Sequence, residues 1–106
     1  MPHLKVSGIT KKELEKISIE LISIVEEQSS TSRKYIKIFY NPIEYIQGNE
    51  DKIIIIEVYW MPRSQKICDQ LALKLTEFFQ IKGYSFIQVN YNEFPGNLFY
   101  ENGIHY

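Results

Sequence analysis

Features that often direct the interpretation of a sequence are scarce in this chain. The only cysteine is Cys68, so no disulfide can form within the chain and no metal site can draw on a pair of thiolates. Twelve Lys and Arg against thirteen Asp and Glu leave a net charge of −1, so no basic field favours nucleic acid as a partner. The dense apolar run at residues 53–56 is too short to cross a bilayer, and residues 1–10 lack the apolar core of a signal peptide. We therefore expect a cytoplasmic protein with neither a nucleic-acid nor a membrane partner.

The composition is that of one ordinary globular domain. The chain has 106 residues, which is near the commonest domain size and too short for two hydrophobic cores. Its hydrophobic fraction is 44% and its charged fraction 24%, so disorder is not indicated. A single domain over residues 1–106 is the prediction.

The first half of the chain has the pattern of a β-α-β unit. Residues 2–7 alternate apolar and polar side chains, which is the period of a strand with one buried face. Thr10 and Glu13 form a capping box, and the apolar residues behind them predict a helix over residues 11–28. Aromatic and β-branched residues at 35–40 predict the second strand, which ends before Pro42.

The second half repeats this order after a turn predicted at residues 48–51. Strand three is predicted at residues 53–60, and its unbroken isoleucine run indicates a central strand with both faces covered, within the sheet or by another subunit. A second helix begins after the N-cap Ser64 and ends before Gly83, and strand four covers residues 84–90. Asn102 and Gly103 predict a terminal aromatic hairpin, which we expect to dock on the body of the protein or on a neighbour.

The resulting α+β order, β-α-β-β-α-β, fits both a ferredoxin-like sandwich and the tautomerase fold. We expect a tautomerase fold to pair strand one parallel to strand two and strand three parallel to strand four. We expect a ferredoxin-like sandwich, by contrast, to place the first and third strands together at the centre of the sheet.

Three local features favour the second fold. Met1-Pro2 opens the first strand, Ser-Arg-Lys-Tyr-Ile at residues 32–36 precedes the second, and Val-Asn-Tyr-Asn-Glu-Phe ends the fourth at residues 89–94. These features resemble the tautomerase superfamily, specifically its members related to macrophage migration inhibitory factor. The chain is most similar to a group of small bacterial proteins in that superfamily that open with MPHL and end in a YENG hairpin, here residues 100–103.

The resemblance implies a four-stranded sheet with two helices on one face plus the C-terminal hairpin. It also implies a homotrimer whose sheets line a central barrel, and cofactor-independent chemistry with Pro2 as the catalytic base in pockets between subunits. Removal of Met1 would leave Pro2 with a secondary amine, and an apolar pocket or a nearby cation would move its pKa toward that of a general base. The alternative is that Pro2 only begins an edge strand.

Arg63 is the first choice for a substrate anchor. It lies between strand three and helix two, where a guanidinium can hold a carboxylate beside helix N-terminal amides. Lys5 and Arg33 are further candidates for binding a small carboxylate ligand, and the resemblance adds Asn90 as a catalytic donor. For each basic residue the alternative is a solvated surface side chain. The two histidines have no partner at a metal-ligand spacing, so we expect no metal site.

Two functions follow. The first is a tautomerase, an isomerase acting on a small keto–enol carboxylic acid with Pro2 as general base. The alternative is a non-catalytic binding or assembly module with the same trimeric fold. It is motivated by two departures from the inhibitory-factor branch, whose catalytic lysine falls near Thr31 and whose tyrosine before the Ile-Asn pair is Gln88 here.

Overall fold

A computed structural model describes residues 1–49 and 52–106, so the second half of the turn predicted at residues 48–51 lies outside the described residues. The element order β-α-β-β-α-β with a terminal hairpin is confirmed. The elements are β1 His3–Ser7, α1 Lys11–Ser29, β2 Lys37–Asn41, β3 Ile53–Trp60, α2 Gln65–Ile81, β4 Phe86–Glu93, β5 Tyr100–Glu101 and β6 Ile104–His105.

The sheet has the strand order β2-β1-β3-β4. Strand β1 runs parallel to β2, β3 runs parallel to β4, and the two halves meet through an antiparallel β1–β3 pair. The predicted parallel pairs are therefore confirmed. The expectation that central first and third strands would mark a ferredoxin-like sandwich was wrong as a criterion, because β1 and β3 are central here as well. What separates the folds is that each helix here joins two adjacent parallel strands, so neither β-α-β unit is split.

Both helices begin at the predicted caps. The Thr10 hydroxyl accepts a hydrogen bond from the Glu13 amide at 3.2 Å, and the Ser64 hydroxyl accepts from the Ile67 amide at 3.3 Å. These bonds satisfy amide groups that have no partner within the helix. Helix α2 is followed by Gly83 at a φ of 101°, a conformation that glycine adopts without strain. Over the described residues, neither helix is long and apolar enough to cross a membrane.

The core lies between the helices and one face of the sheet. Alternate residues of β3, from Ile54 to Trp60, are fully buried beneath α1 and α2, whereas the intervening residues are only half-buried. The isoleucine run was predicted to be covered on both faces. Within one chain the helices cover a single face, and the described residues place no helix or strand over the other. Helix α1 contributes Leu14, Ile17, Leu21 and Val25 to this core.

The C-terminal hairpin docks on the body in part, at the end of the sheet where β1 begins. The Phe94 amide donates to the Trp60 carbonyl at 3.3 Å, and the Phe94 ring stacks on Phe99 at 5.1 Å. Tyr106 meets the edge of Phe99 at 5.0 Å. The outer residues stay in solvent, since Ile104 is 74% exposed. The expected docking is therefore seen for the inner aromatic residues only.

Candidate functional site

Pro2 is buried at the end of the sheet where β1 begins and β3 ends. Extending the β1–β3 register by one residue places it opposite Trp60, whose side chain is fully buried. The Pro2 carbonyl accepts a hydrogen bond from the Lys37 amide at 3.2 Å, which ties this end of β1 to β2. Pro2 is therefore held by a hydrogen bond from β2 and lies beside the end of β3.

Met1 is part of the folded structure and does not extend into solvent. Met1 is only 7% exposed and belongs to the hydrophobic core, and its amino group donates to the Tyr35 carbonyl at 3.1 Å. A cavity of about 330 Å³ lies beside it, lined by Met1, Tyr35 and Tyr106. The hydroxyl of Tyr106 donates to the carboxylate of Glu101, so the cavity wall is braced within the hairpin.

The charges around this amino group are mostly positive. Burial lowers the pKa of the amino terminus, the Lys37 and Arg63 cations lower it further, and the Glu101 carboxylate opposes them. The pKa of His3 is lowered by burial first, then by the amino terminus and Lys37. An amine at this end of the sheet is therefore biased toward its neutral form, which is the form that can accept a proton.

Arg63 lies near enough to the Met1 amino group for its charge to lower the pKa of that group. Its backbone amide donates to the Glu93 carboxylate at 3.2 Å, and its guanidinium donates to the Met61 carbonyl at 2.7 Å. The guanidinium lies over the Trp60 ring, 5.1 Å from the ring centroid. One edge of the guanidinium is thus held by Met61, and it retains further N–H donors for a ligand.

The other candidate side chains have partners of their own or lie on the open face of the sheet. Arg33 pairs with Glu26 on the outer surface of α1, with an N–O distance of 3.1 Å. Lys5 lies on the open face of the sheet, its ammonium 5.4 Å from the centre of the Tyr59 ring. Asn90 is exposed on β4, where its side-chain oxygen accepts a hydrogen bond from Asn92 at 2.9 Å.

Sequence reasoning missed Lys37, Tyr35 and Tyr106 as parts of this site. Lys37 is the register partner of His3 in the parallel β1–β2 pair, and the sequence predicted that pair but not its register. Tyr35 contributes a backbone carbonyl, which no residue type reveals. Tyr106 comes from the hairpin, whose position depends on contacts with distant residues.

Cys68 is a packed side chain of the core. It is buried on α2, and burial, followed by the Glu93 carboxylate, raises the pKa of its thiol. A raised thiol pKa disfavours the thiolate that nucleophilic chemistry needs. Among residues 1–49 and 52–106 the structure gathers no set of three or more His, Cys, Asp or Glu side chains suited to a metal ion.

A preparation that keeps Met1 as its first residue is expected to resist methionine aminopeptidase while folded. Such an enzyme must bind both the amino group and the side chain of that residue, and both are engaged in the fold. Cleavage is therefore expected to be at least ~10-fold slower than in a peptide of residues 1–8, because it requires local opening. Intact mass measured over time checks this, and equal rates for protein and peptide would contradict the burial of Met1.

Comparisons with known proteins agree with this architecture. A family model described as "Domain of unknown function (DUF1904)" matches residues 1–105, and no curated protein matches the chain. A solved DUF1904 domain from Sebaldella termitidis has a TM-score of 0.89 at 22% identity, with 100% of both chains covered. A macrophage migration inhibitory factor-like protein from Entamoeba histolytica has a TM-score of 0.81 at 17% identity, covering 99% of this chain and 98% of that one.

A fused 4-OT, solved as a symmetric trimer, has a TM-score of 0.80 at 16% identity, covering 97% of this chain and 94% of its own. At these identities the three structures establish the fold, which is the tautomerase-like fold that the sequence resembles. Because the family match spans nearly the whole sequence, the chain belongs to the DUF1904 family, and its fold is tautomerase-like.

Proposed function

We propose that this chain, once Met1 is removed, is a cofactor-independent tautomerase acting on a small keto–enol carboxylic acid, with Pro2 as general base. The observation that carries the proposal is the position of Pro2, which is buried at the end of β1 and bonded to Met1, which lines a cavity and whose amino group has its pKa lowered by the charges of Lys37 and Arg63. Removal of Met1 would turn the Pro2 nitrogen from an amide into a secondary amine. Burial and the two cations would then favour the neutral, basic form of that amine.

In this proposal the Pro2 nitrogen takes a proton from the carbon beside the ligand's carbonyl group, and the electron pair of that bond forms the enolate. Arg63 holds the carboxylate, which keeps the carbon close to the base. Lys37 stabilises the developing oxyanion through its charge. The oxyanion then takes up a proton to give the enol, and the reverse sequence returns the keto acid.

The remaining candidate residues can reach a ligand only if neighbouring copies of the chain contribute to the site. Asn90 and Lys5 lie on the open face of the sheet. Both are register partners of Glu57 on β3, Lys5 from β1 on one side and Asn90 from β4 on the other. That face also carries Phe39, which is 48% exposed, and the half-buried Ile55. We propose that a homotrimer covers this face and that Asn90 of an adjacent copy donates a hydrogen bond to the ligand. Arg33 would contribute only after leaving Glu26.

A homotrimer is expected in solution, because burying the aromatic and isoleucine side chains of the open face stabilises association. The symmetric trimer of the fused 4-OT, which has a similar fold, supports this arrangement. Small-angle scattering and sedimentation should give about three times the mass of 12.6 kDa. A monomer at micromolar concentration would contradict the proposed assembly.

The direct test of the activity is the enol–keto conversion of phenylpyruvate by protein whose Met1 is shown by mass to be absent. The matched comparison is protein that retains Met1, whose Pro2 nitrogen is an amide and cannot act as a base. Conversion by the first and not by the second is the expected result. Equal conversion by both, or by neither, would contradict the proposal.

Arg63→Ala is expected to raise the KM for carboxylate substrates roughly tenfold with a smaller change in kcat, because it removes a ground-state contact to the carboxylate. Steady-state kinetics with phenylpyruvate measures the split. Arg33→Ala is the matched control, since it also removes a guanidinium but one that is paired with Glu26. A KM that rises with Arg33→Ala and not with Arg63→Ala would move the anchor to Arg33.

The second candidate function is a non-catalytic trimeric binding or assembly module. The burial of Met1 favours it, because a chain that keeps this residue has no free amine at Pro2. The departures at Thr31 and Gln88 point the same way. Intact mass of untagged protein separates the two functions, since retained Met1 in the native protein is compatible only with the binding module.

A further inference from the structure

Met1 fills its site as a bound molecule would. Its side chain is packed in the core, its amino group has the Tyr35 carbonyl as acceptor, and the cavity with Tyr35 and Tyr106 continues beside it. Three covalent bonds separate its amino nitrogen from the Pro2 nitrogen. The space occupied by Met1 therefore adjoins the atom proposed as the base.

We propose that Met1 is an internal surrogate for the ligand, and that the Met1-free protein binds a small carboxylic acid with two further features. One is an unbranched apolar chain about as long as that of methionine, and the other is a hydroxyl group beside the carboxylate, as in the enol of a 2-oxo acid. This inference rests on the proposed function for the use of the site, and it adds the size and hydrogen-bonding character of the ligand.

Hydrolysis of the Met1–Pro2 bond creates the pocket. Water adds across the amide, so the hydroxyl goes to the Met1 carbonyl carbon, a hydrogen goes to the Pro2 nitrogen, and free methionine leaves. The vacated space then joins the existing cavity of about 330 Å³. Because Met1 is only 7% exposed in the intact chain, an apolar chain of similar length would be removed from water on binding.

Removal of Met1 also leaves the Tyr35 carbonyl without the hydrogen bond that the Met1 amino group donated to it. A partly buried carbonyl with an unmet hydrogen bond favours a ligand that restores one. The enol of a 2-oxo acid has a hydroxyl donor where the keto form has only an acceptor. The pocket is therefore expected to bind the enol more tightly than the keto form.

The positive charges near this site favour a ligand that carries a carboxylate. The Lys37 and Arg63 cations oppose the positive charge of the Met1 ammonium, whereas the Glu101 carboxylate, which accepts a hydrogen bond from the Tyr106 hydroxyl, favours it, so two cations face one anion here. A ligand that replaces the ammonium with a neutral hydroxyl and adds a carboxylate turns this repulsion into attraction. Free methionine, which carries the ammonium again, is expected to bind more weakly than the matching hydroxy acid.

Calorimetry with three unreactive probes tests these features on Met1-free protein. 2-Hydroxy-4-(methylthio)butanoate has the chain, the hydroxyl and the carboxylate, lactate lacks the chain, and 4-(methylthio)butanoate lacks the hydroxyl. We expect each omission to weaken binding roughly tenfold or more. Protein made with an aminopeptidase inhibitor, so that Met1 is retained, is expected not to bind the full probe.

Two hairpin variants provide a matched pair. Tyr106→Ala removes a wall of the cavity and should reduce the advantage of the full probe over lactate. Tyr100→Ala removes a tyrosine that is 54% exposed and does not line the cavity, and should leave that advantage unchanged. Equal affinity for the full probe and lactate, or binding by protein that retains Met1, would overturn the inference. Probe selectivity without conversion of phenylpyruvate would leave the inference standing and refute the proposed function.

Discussion

Pro2→Ala in Met1-free protein is expected to lower kcat/KM for phenylpyruvate tautomerisation by roughly 10²–10⁴-fold, the contribution typical of a positioned general base. Alanine keeps an amine at the first position but makes it a primary amine. It also removes the ring that fixes φ and fills the buried space at the start of β1. The base is then both altered and less well positioned, so the loss should fall mainly on kcat.

The comparison requires that the wild type and the Pro2→Ala variant both begin at residue 2. Alanine, like proline, is small enough to follow a removable methionine, and intact mass must show that Met1 is absent from both. Circular dichroism should show an unchanged fold, because the substitution removes little volume. Equal activity of the two proteins would reject Pro2 as the base and favour the binding-module function.

The elements of this fold were predictable because they depend on local patterns. Capping side chains and apolar periodicity determine where α1 and α2 begin, and β3 was predicted with the bounds it has. The parallel pairs follow from the short helical connections, which favour adjacent strands. Within one chain the isoleucine run alternates in burial, from half-buried Ile53 to buried Ile54, so cover of its second face by another subunit stays a prediction.

The site was less predictable because it depends on contacts between distant residues. Met1 is in the core because the loop after α1 and the C-terminal hairpin close over it. The positions of that loop and that hairpin do not follow from local sequence patterns. Arg33 is paired because the loop returns it to Glu26, seven residues earlier. Arg63 could be placed from the sequence because its position depends only on the end of β3 and the start of α2, and its role as an anchor stays a prediction.

Tyr91 packs against Trp60, the residue opposite Pro2. Its ring stacks on the Trp60 ring with 5.0 Å between centroids, and its hydroxyl donates to the Cys68 carbonyl at 2.7 Å. Burial raises the pKa of Tyr91 well above its ordinary value of 10. Above pH 10 the unfolded chain therefore releases a proton that the native state retains. The stabilisation from the protonated phenol is complete below pH 10 and is lost as the pH rises through the native pKa.

Tyr91→Phe is accordingly expected to be less stable than the wild type near neutral pH and more stable than it at high pH. Near neutrality the variant should lose about 1 kcal/mol, the net contribution of the hydrogen bond to Cys68. Above pH 10 the wild type should lose up to ~1.4 kcal/mol per pH unit relative to the variant, so the two curves should cross near pH ~11. Urea unfolding followed by far-ultraviolet circular dichroism measures both free energies, with Tyr100→Phe as a control for loss of an exposed phenol. A constant difference between wild type and Tyr91→Phe from pH 8 to 11.5 would show that Tyr91 ionises as freely in the native state as in the unfolded chain.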